Sequence, residues 1–503
     1  MRCNDNRCND ASPLAKRRQR FVRIAFYAEA GRGIGRALHQ WQSWRMPDPV
    51  ILWLRQDLRL SDQAALIGAL MEGPVIPVYV LDDAAPKHWK IGAAQRWWLH
   101  YSLKSLDESL RAMGSRLILR RGDCAQELQL VAQETGSRRV HALSHYEPWW
   151  RNAERAVAKE LDLQLHDGML LLPPGCVQTS GGSPYQIYTP FARATMLHMP
   201  PHEPQPAPSH IDAPLKWPAG DSLDGWGLLP ANPDWAAAFG KDWTPGEKGA
   251  RQNVASFLDE VRDYDVARNL PSIEGTSRLS PHLHFGEVSP AYVWHRVSSA
   301  SGDAMTFLKE MIWRDYAHTQ IWALPTYGSQ NARPDFDRMP WRDLREAKAD
   351  FTAWKKGRTG YPIVDAGMRQ LWTTGWMHNR VRMIAASFLI KHLLIDWRHG
   401  ARWFWDTLVD ANYANNSVNW QWVAGSGVDA NLFTRIMAPL TQSPKFDAAD
   451  YIRHWVPELG HLNDKAIHDP DSHAARPSAY PPKRIGHREA RERALAAYRQ
   501  SRN

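Results

Sequence analysis

Cysteine is scarce. The chain of 503 residues has four, Cys3, Cys8, Cys124 and Cys176, and no two form a C-x-x-C pair. That argues against a disulfide framework and against a cysteine-bound zinc or iron–sulfur centre. A reducing, cytoplasmic setting is the expectation. No unbroken apolar run reaches the roughly 18 residues of a membrane span, so no transmembrane helix and no membrane partner are expected. Excess charge is missing where it would matter. The net charge is +9, but residues 1–45 hold ten Lys and Arg against three Asp and Glu, a net of +7. Only +2 remains for the rest of the chain. Bulk charge is therefore weak support for nucleic-acid binding, which would need a basic patch on one face.

Tryptophan, by contrast, is abundant, with 25 copies. Large aromatics mostly build cores and interfaces. So many also suit flat-ring binding and electron relay. Hydrophobic residues at 44% and charged residues at 23% fit a globular chain, and its length implies more than one domain.

The expected organisation has four parts. Residues 1–45 are Arg-rich and aperiodic, and are read as an extension outside the fold, with Met46 as the natural start. A targeting peptide is the alternative. The glycines of Gly31–Ala37 follow no convincing strand and make no dinucleotide fingerprint. Residues 46–175 alternate short apolar runs (Val50–Leu54, Val75–Leu81, Arg116–Leu119, Val140–Leu143) with amphipathic stretches such as Ala93–Met113. This pattern predicts an α/β domain with a parallel, Rossmann-like sheet. Residues 176–248, rich in Pro, Trp and Gly towards their end, read as an inter-domain connection. Residues 249–503 read as an all-α domain.

Four segments carry polar chemistry. Tyr264 precedes Gly275-Thr276-Ser277-Arg278-Leu279-Ser280. Hydroxyls and N–H groups near a helix start suit a phosphate, or an ordinary N-cap. Glu310 and Trp313 share a helix face, with Arg314 beside them. Such a pair grips a flat polar ligand, or simply belongs to a packed helix. Asn379 and Met383 share a face, while Arg382 points elsewhere and needs a carboxylate if buried. His378 has no spaced partner ligands, so no metal site is expected. In the run from Asp410 to Trp422, Asn416 and Trp420 share a helix face, and Trp420 and Trp422 point to nearly opposite sides.

Taken together, these segments resemble the photolyase/cryptochrome family, nearest to its cyclobutane pyrimidine dimer branch. The likeness runs from about Val50 to Trp455-Val456-Pro457-Glu458-Leu459. Its most specific parts are Thr359-Gly360-Tyr361-Pro362-Ile363-Val364-Asp365-Ala366 through Trp376-Met377-His378-Asn379-Arg380, Trp420-Gln421-Trp422, and Gly275–Ser280.

The resemblance implies that the helical domain binds FAD in a folded form. Tyr264, Thr276, Ser277, Arg278, Leu279 and Ser280 would line its phosphate and ribityl region. Arg382 and Asp410 would form a buried ion pair beside the flavin ring, with Asn416 facing flavin N5. Asn412 joins this cofactor set at a position where the family commonly has an acid. An amide can donate as well as accept. Trp420, Trp397 and Trp341 would be the proximal, middle and distal members of an electron relay, with Trp354 the alternative to Trp341. Trp313 and Trp422 would wall a pocket for a pyrimidine dimer flipped out of the duplex. Glu310 and Asn379 would be its polar contacts and Met383 its floor. The implied activity is blue-light repair of cyclobutane pyrimidine dimers, with damaged DNA as partner and the chain a monomer. The alternatives are a cryptochrome light sensor and a (6-4) photoproduct photolyase; the latter has a histidine pair near Asn379, where this chain has His378-Asn379. Methenyltetrahydrofolate is the expected antenna and a deazaflavin the alternative. Tyr146-Glu147 stands at a common antenna contact, but Pro148-Trp149-Trp150 departs from the pattern.

Overall fold

The runs VILWL and VIPVYVL contain no charged residue, as strands covered on both faces require. The computed structural model describes residues 47–300, 302–430 and 432–502. In it these runs are β1 (Val50–Leu54) and β2 (Val75–Leu81), buried along their whole length. With β3 (Ile118–Arg121), β4 (Arg139–Leu143) and β5 (Asp162–His166) they form a parallel sheet ordered β3-β2-β1-β4-β5. Val50 pairs with Val75 on one side and Arg139 on the other, so β1 is central. Parallel strands need long crossovers. Here these carry α1 (Ala64–Leu70), α2 (Ala93–Ala112), α3 (Cys124–Thr135) and α4 (Pro148–Glu160). β3 begins two residues later than the expected run. β5 was not anticipated: DLQLH is a half-exposed edge strand with only two apolar residues.

Beyond the sheet the described residues form helices, loops and one isolated bridge. The helices that matter for the site are α5 (Tyr188–Met196), α6 (Met305–Ala323), α7 (Pro362–Thr374), α8 (Asn379–Ser387), α9 (Trp397–Thr407) and α10 (Tyr413–Ala424). An α/β N-terminal part and a helical C-terminal part are thus both present. Pro362 opens α7, where its missing N–H costs nothing. Gly375 and Gly425 stop α7 and α10 with φ of 68° and 88°, which favour glycine.

One hydrophobic cluster runs from Ile51 and Val78 in the sheet to Tyr316, Trp354 and Trp420 in the helices. Polar links reinforce the join. Trp98 Nε1 donates to Glu287 at 2.9 Å, Arg59 to the Gly286 carbonyl at 3.0 Å, and Gln95 to the Trp405 carbonyl at 2.9 Å. Gly286 has φ of 64°, and a Cβ there would come within 2.2 Å of the Gln56 carbonyl oxygen. Only glycine lets the two halves approach so closely. The expectation for residues 1–45 lies outside the described residues. Among the described residues no helix is long and apolar enough to cross a membrane.

Candidate cofactor and substrate site

Helices α6, α8 and α10 converge on one cavity of about 590 Å³, to which α5 and α9 also contribute. α6 buries Phe307, Leu308, Met311 and Ile312 in the core, and its Glu310, Trp313 and Arg314 reach the cavity. α8 starts at the His378 cap, whose side chain accepts from Arg380 N, and presents Asn379, Arg382 and Met383. α10 presents Asn416 and Trp420 from one face and Trp422 from another. The loop Thr276–Ser280 closes the wall, with Arg278 in the left-handed region at φ 48°.

Every residue expected at the cofactor lines this cavity: Tyr264, Thr276, Ser277, Arg278, Leu279, Ser280, Arg382, Asp410, Asn412 and Asn416. So do all five expected at the lesion, Glu310, Trp313, Asn379, Met383 and Trp422. Of the expected relay only Trp420 does. Its ring neighbours are Phe404 at 5.0 Å and Trp354 at 6.5 Å. Trp397 is fully buried and donates to Asn331 at 2.9 Å. Trp341 meets Phe433 at 6.5 Å. Among the described residues no ring pair joins Trp397 to Trp420 or to Trp341.

Most of the cavity's charges are paired. Arg382 meets Asp410 in a two-pronged bond of 3.0 and 2.8 Å, and its Nε donates to the Met377 carbonyl. Asp410 also accepts from Ser280 Oγ at 2.6 Å. The carboxylate that the sequence demanded for Arg382 is therefore Asp410. Glu310 accepts from Tyr264 and pairs with Arg268. Its side chain is 36% exposed, but into the cavity. Burial raises its carboxyl above the usual range, against the opposing pull of Arg268, Tyr264 and Arg380. Burial and the flanking guanidiniums hold His378 at about 3, so it is neutral.

The donor set suits a flavin dinucleotide. The Thr276 and Ser277 hydroxyls can donate to an anionic, polyhydroxylated chain. Ser280 Oγ, which gives its hydrogen to Asp410, can accept from a ligand hydroxyl. Arg278, paired with Glu274 through Nε and Nη2, keeps Nη1 for the same chain. Trp376, Phe404 and Trp420 give the same cavity apolar flat surfaces. Gly400 makes room for one of them, since a Cβ there would lie 2.2 Å from Trp420.

Sequence reasoning missed several lining residues, among them Arg268, Tyr188 and Trp376. Arg268 stands four residues after Tyr264 and pairs with Glu310, so helical spacing offered a signal. Tyr188 comes from α5, in the stretch read as a connection, and its ring meets Trp313 at 4.7 Å. Trp376 was seen only as part of a motif. At the expected antenna contact, Tyr146 meets the His318 ring at 6.4 Å and Glu147 is buried. Pro148 opens α4, and Trp149 and Trp150 pack on Tyr413 and Trp53.

Comparison with known proteins matches this architecture in both halves. Residues 50–209 match the family model described as DNA photolyase, and residues 307–500 that described as FAD binding domain of DNA photolyase. A deoxyribodipyrimidine photo-lyase from Agrobacterium fabrum is 46% identical over 90% of this chain and 97% of its own length. The chain belongs to the DNA photolyase family. It is an enzyme of that family, with FAD as cofactor. The crystal structure of a bacterial class III photolyase from Agrobacterium tumefaciens superimposes with a TM-score of 0.87 at 46% identity, covering 92% of this chain and 99% of that one. Light sensors are related too: Cryptochrome-2 of Arabidopsis thaliana is 33% identical over 84% of this chain and 73% of its own length.

Proposed function

We propose that this photolyase repairs cyclobutane pyrimidine dimers in DNA under blue light, by electron transfer to a dimer flipped out of the duplex. One observation carries the reading: the residues suited to the flavin and those suited to the lesion line a single cavity. Bound reduced FAD supplies the excited-state electron that opens the cyclobutane ring and takes it back. The chain does the rest. The Arg382–Asp410 pair puts a fixed, mutually neutralised dipole at the cavity wall. The Asn416 amide is anchored by donating to the Ala401 carbonyl at 3.0 Å. Trp313, braced by Tyr188 and Tyr316, and Trp422 offer two stacking faces. Stacking is worth about 1–3 kcal/mol per base. That offsets much of an extrusion cost of a few kcal/mol. Glu310 and Asn379 are the polar contacts of the dimer and Met383 its apolar floor.

Trp420 is the proximal residue through which the buried flavin is reduced, with Trp397 and Trp341 further out. Trp354, the alternative to Trp341, is in ring contact with Trp420 but fully buried, which favours Trp341 as the outer member. Methenyltetrahydrofolate is the proposed antenna. The chain acts as a monomer on damaged DNA.

The test is repair of a dimer-containing oligonucleotide by purified, reduced, FAD-loaded protein. Light-dependent restoration of the pyrimidines is expected. Flavin photochemistry without restoration would overturn repair in favour of a light sensor.

A further inference from the structure

Asn412 caps α10 and lines the cavity. Its Oδ1 accepts from Asn415 N at 3.0 Å, and a backbone N–H can only donate. The amide is thereby oriented, and Nδ2 is the end turned to His318, 3.4 Å from Nε2. The imidazole is oriented from its other side. His318 Nδ1 lies 2.8 Å from the Arg314 carbonyl oxygen, which can only accept, so Nδ1 carries the hydrogen. Nε2 is then a lone pair, and Asn412 donates to it. Asn415 N, Asn412, His318 and the Arg314 carbonyl thus form a relay in which each donates to the next. Both of its ends are backbone groups with no choice of role.

The surroundings keep His318 neutral. Burial comes first, holding it at about 3, and the Arg314 guanidinium on its own helix, His145 and His284 add to that. The Tyr146 ring packs edge-on against it. Asp315, Glu147 and Arg59 lie around Arg314, and Asp410 acts on His284.

We propose that His318, which does not itself line the cavity, is a positioning residue of the flavin site: as a neutral acceptor it holds the Asn412 amide in the cavity wall. A carboxylate at residue 412 would face a lone pair instead, and the pair would bind a proton to restore the bond. His318 and Asn412 are in this sense one unit, and together they leave the wall uncharged.

This rests on the reading that the cavity holds FAD, and the experiment separates the two. Wild-type protein that binds no FAD would overturn that reading. The positioning role is read on the loaded protein, by visible flavin absorption and FAD affinity between about pH 5.5 and about pH 9, where a shared His–Asp proton titrates. Asn412→Asp is expected to show a pH transition that the wild type lacks. Below it the pair shares one proton; above it the proton is gone and FAD affinity changes. The change is about tenfold for each unit by which bound FAD shifts the pKa of the pair. Adding His318→Gln should abolish the transition, because the Gln amide donates to the carboxylate at every pH. A pH-invariant Asn412→Asp spectrum, or a transition that survives His318→Gln, overturns the proposal. Should Asn412→Asp not load FAD, His318→Leu decides. A displaced flavin band and weaker FAD binding, both restored in His318→Gln, are expected. Wild-type band and affinity in His318→Leu overturn it.

Discussion

At the residue scale two side chains make sharp predictions. Trp313 is held by Tyr188 and Tyr316, so its plane is fixed before any ligand arrives. Trp313→Ala is expected to weaken binding of dimer-containing DNA by about 1–3 kcal/mol. Undamaged DNA, with nothing to stack there, should lose less. Paired titrations with the two oligonucleotides measure this. Asp315 is the second. Its Oδ2 accepts from Leu172 N at 3.0 Å, while Oδ1 has no hydrogen-bond partner among the described residues. Burial pushes its carboxyl up to about 7, and Arg314 only partly opposes this. The folded state therefore keeps a proton that the unfolded chain releases near pH 4. Between these values the native state binds more protons, so stability falls as pH rises. Asp315→Asn cannot ionise. It should flatten the slope of stability against pH between about 4 and about 7, with a gain above this window of at most about 4 kcal/mol. Denaturant titrations at several pH values read this directly. The wild-type slope unchanged in the variant would refute it.

At the scale of elements, the site depends on how closely α9 and α10 pack. Gly400 of α9 meets the Trp420 ring, and a Cβ would also come within 2.5 Å of Leu389. Backbone is not the obstacle; two large buried side chains are. Gly400→Ala is expected to lower stability by about 1–3 kcal/mol through overpacking. It should also displace Trp420 and so disturb the flavin absorption band. Thermal unfolding and the visible spectrum check both; an unshifted melting temperature would contradict the packing. Elements were unevenly legible. VILWL and VIPVYVL are short, rich in β-branched residues and apolar throughout, the signature of covered strands. β5 has Leu163 and Leu165 set among polar residues at a sheet edge, and so left little periodic trace. Pro148-Trp149-Trp150 looked anomalous at an antenna contact. Its two indoles are packing residues on Tyr413 and Trp53, a fact that depends on neighbours more than 90 residues away.

At the scale of the whole molecule, residues Pro47–Asn503 form a single unit, and one apolar cluster crosses from sheet to helices. Gly286 against Gln56, and Gln95 against Trp405, tie the halves through backbone as well as side chains. Both halves are expected to unfold in one transition. Far-ultraviolet circular dichroism, which follows both, and the flavin signal, which follows the helices, should then give the same midpoint. Separate midpoints would show that the interface is weaker than the shared core implies. Local pattern alone marked the covered strands and put Glu310 with Trp313, Asn379 with Met383, and Asn416 with Trp420 on common helix faces, because unbroken apolar runs and a period of 3.6 residues are short-range features. Such features say nothing about residues far apart in the chain. That Arg382 meets Asp410, that Arg268 meets Glu310, that Tyr188 braces Trp313 and that His318 meets Asn412 were decided by tertiary packing, since only the closed fold sets their separations.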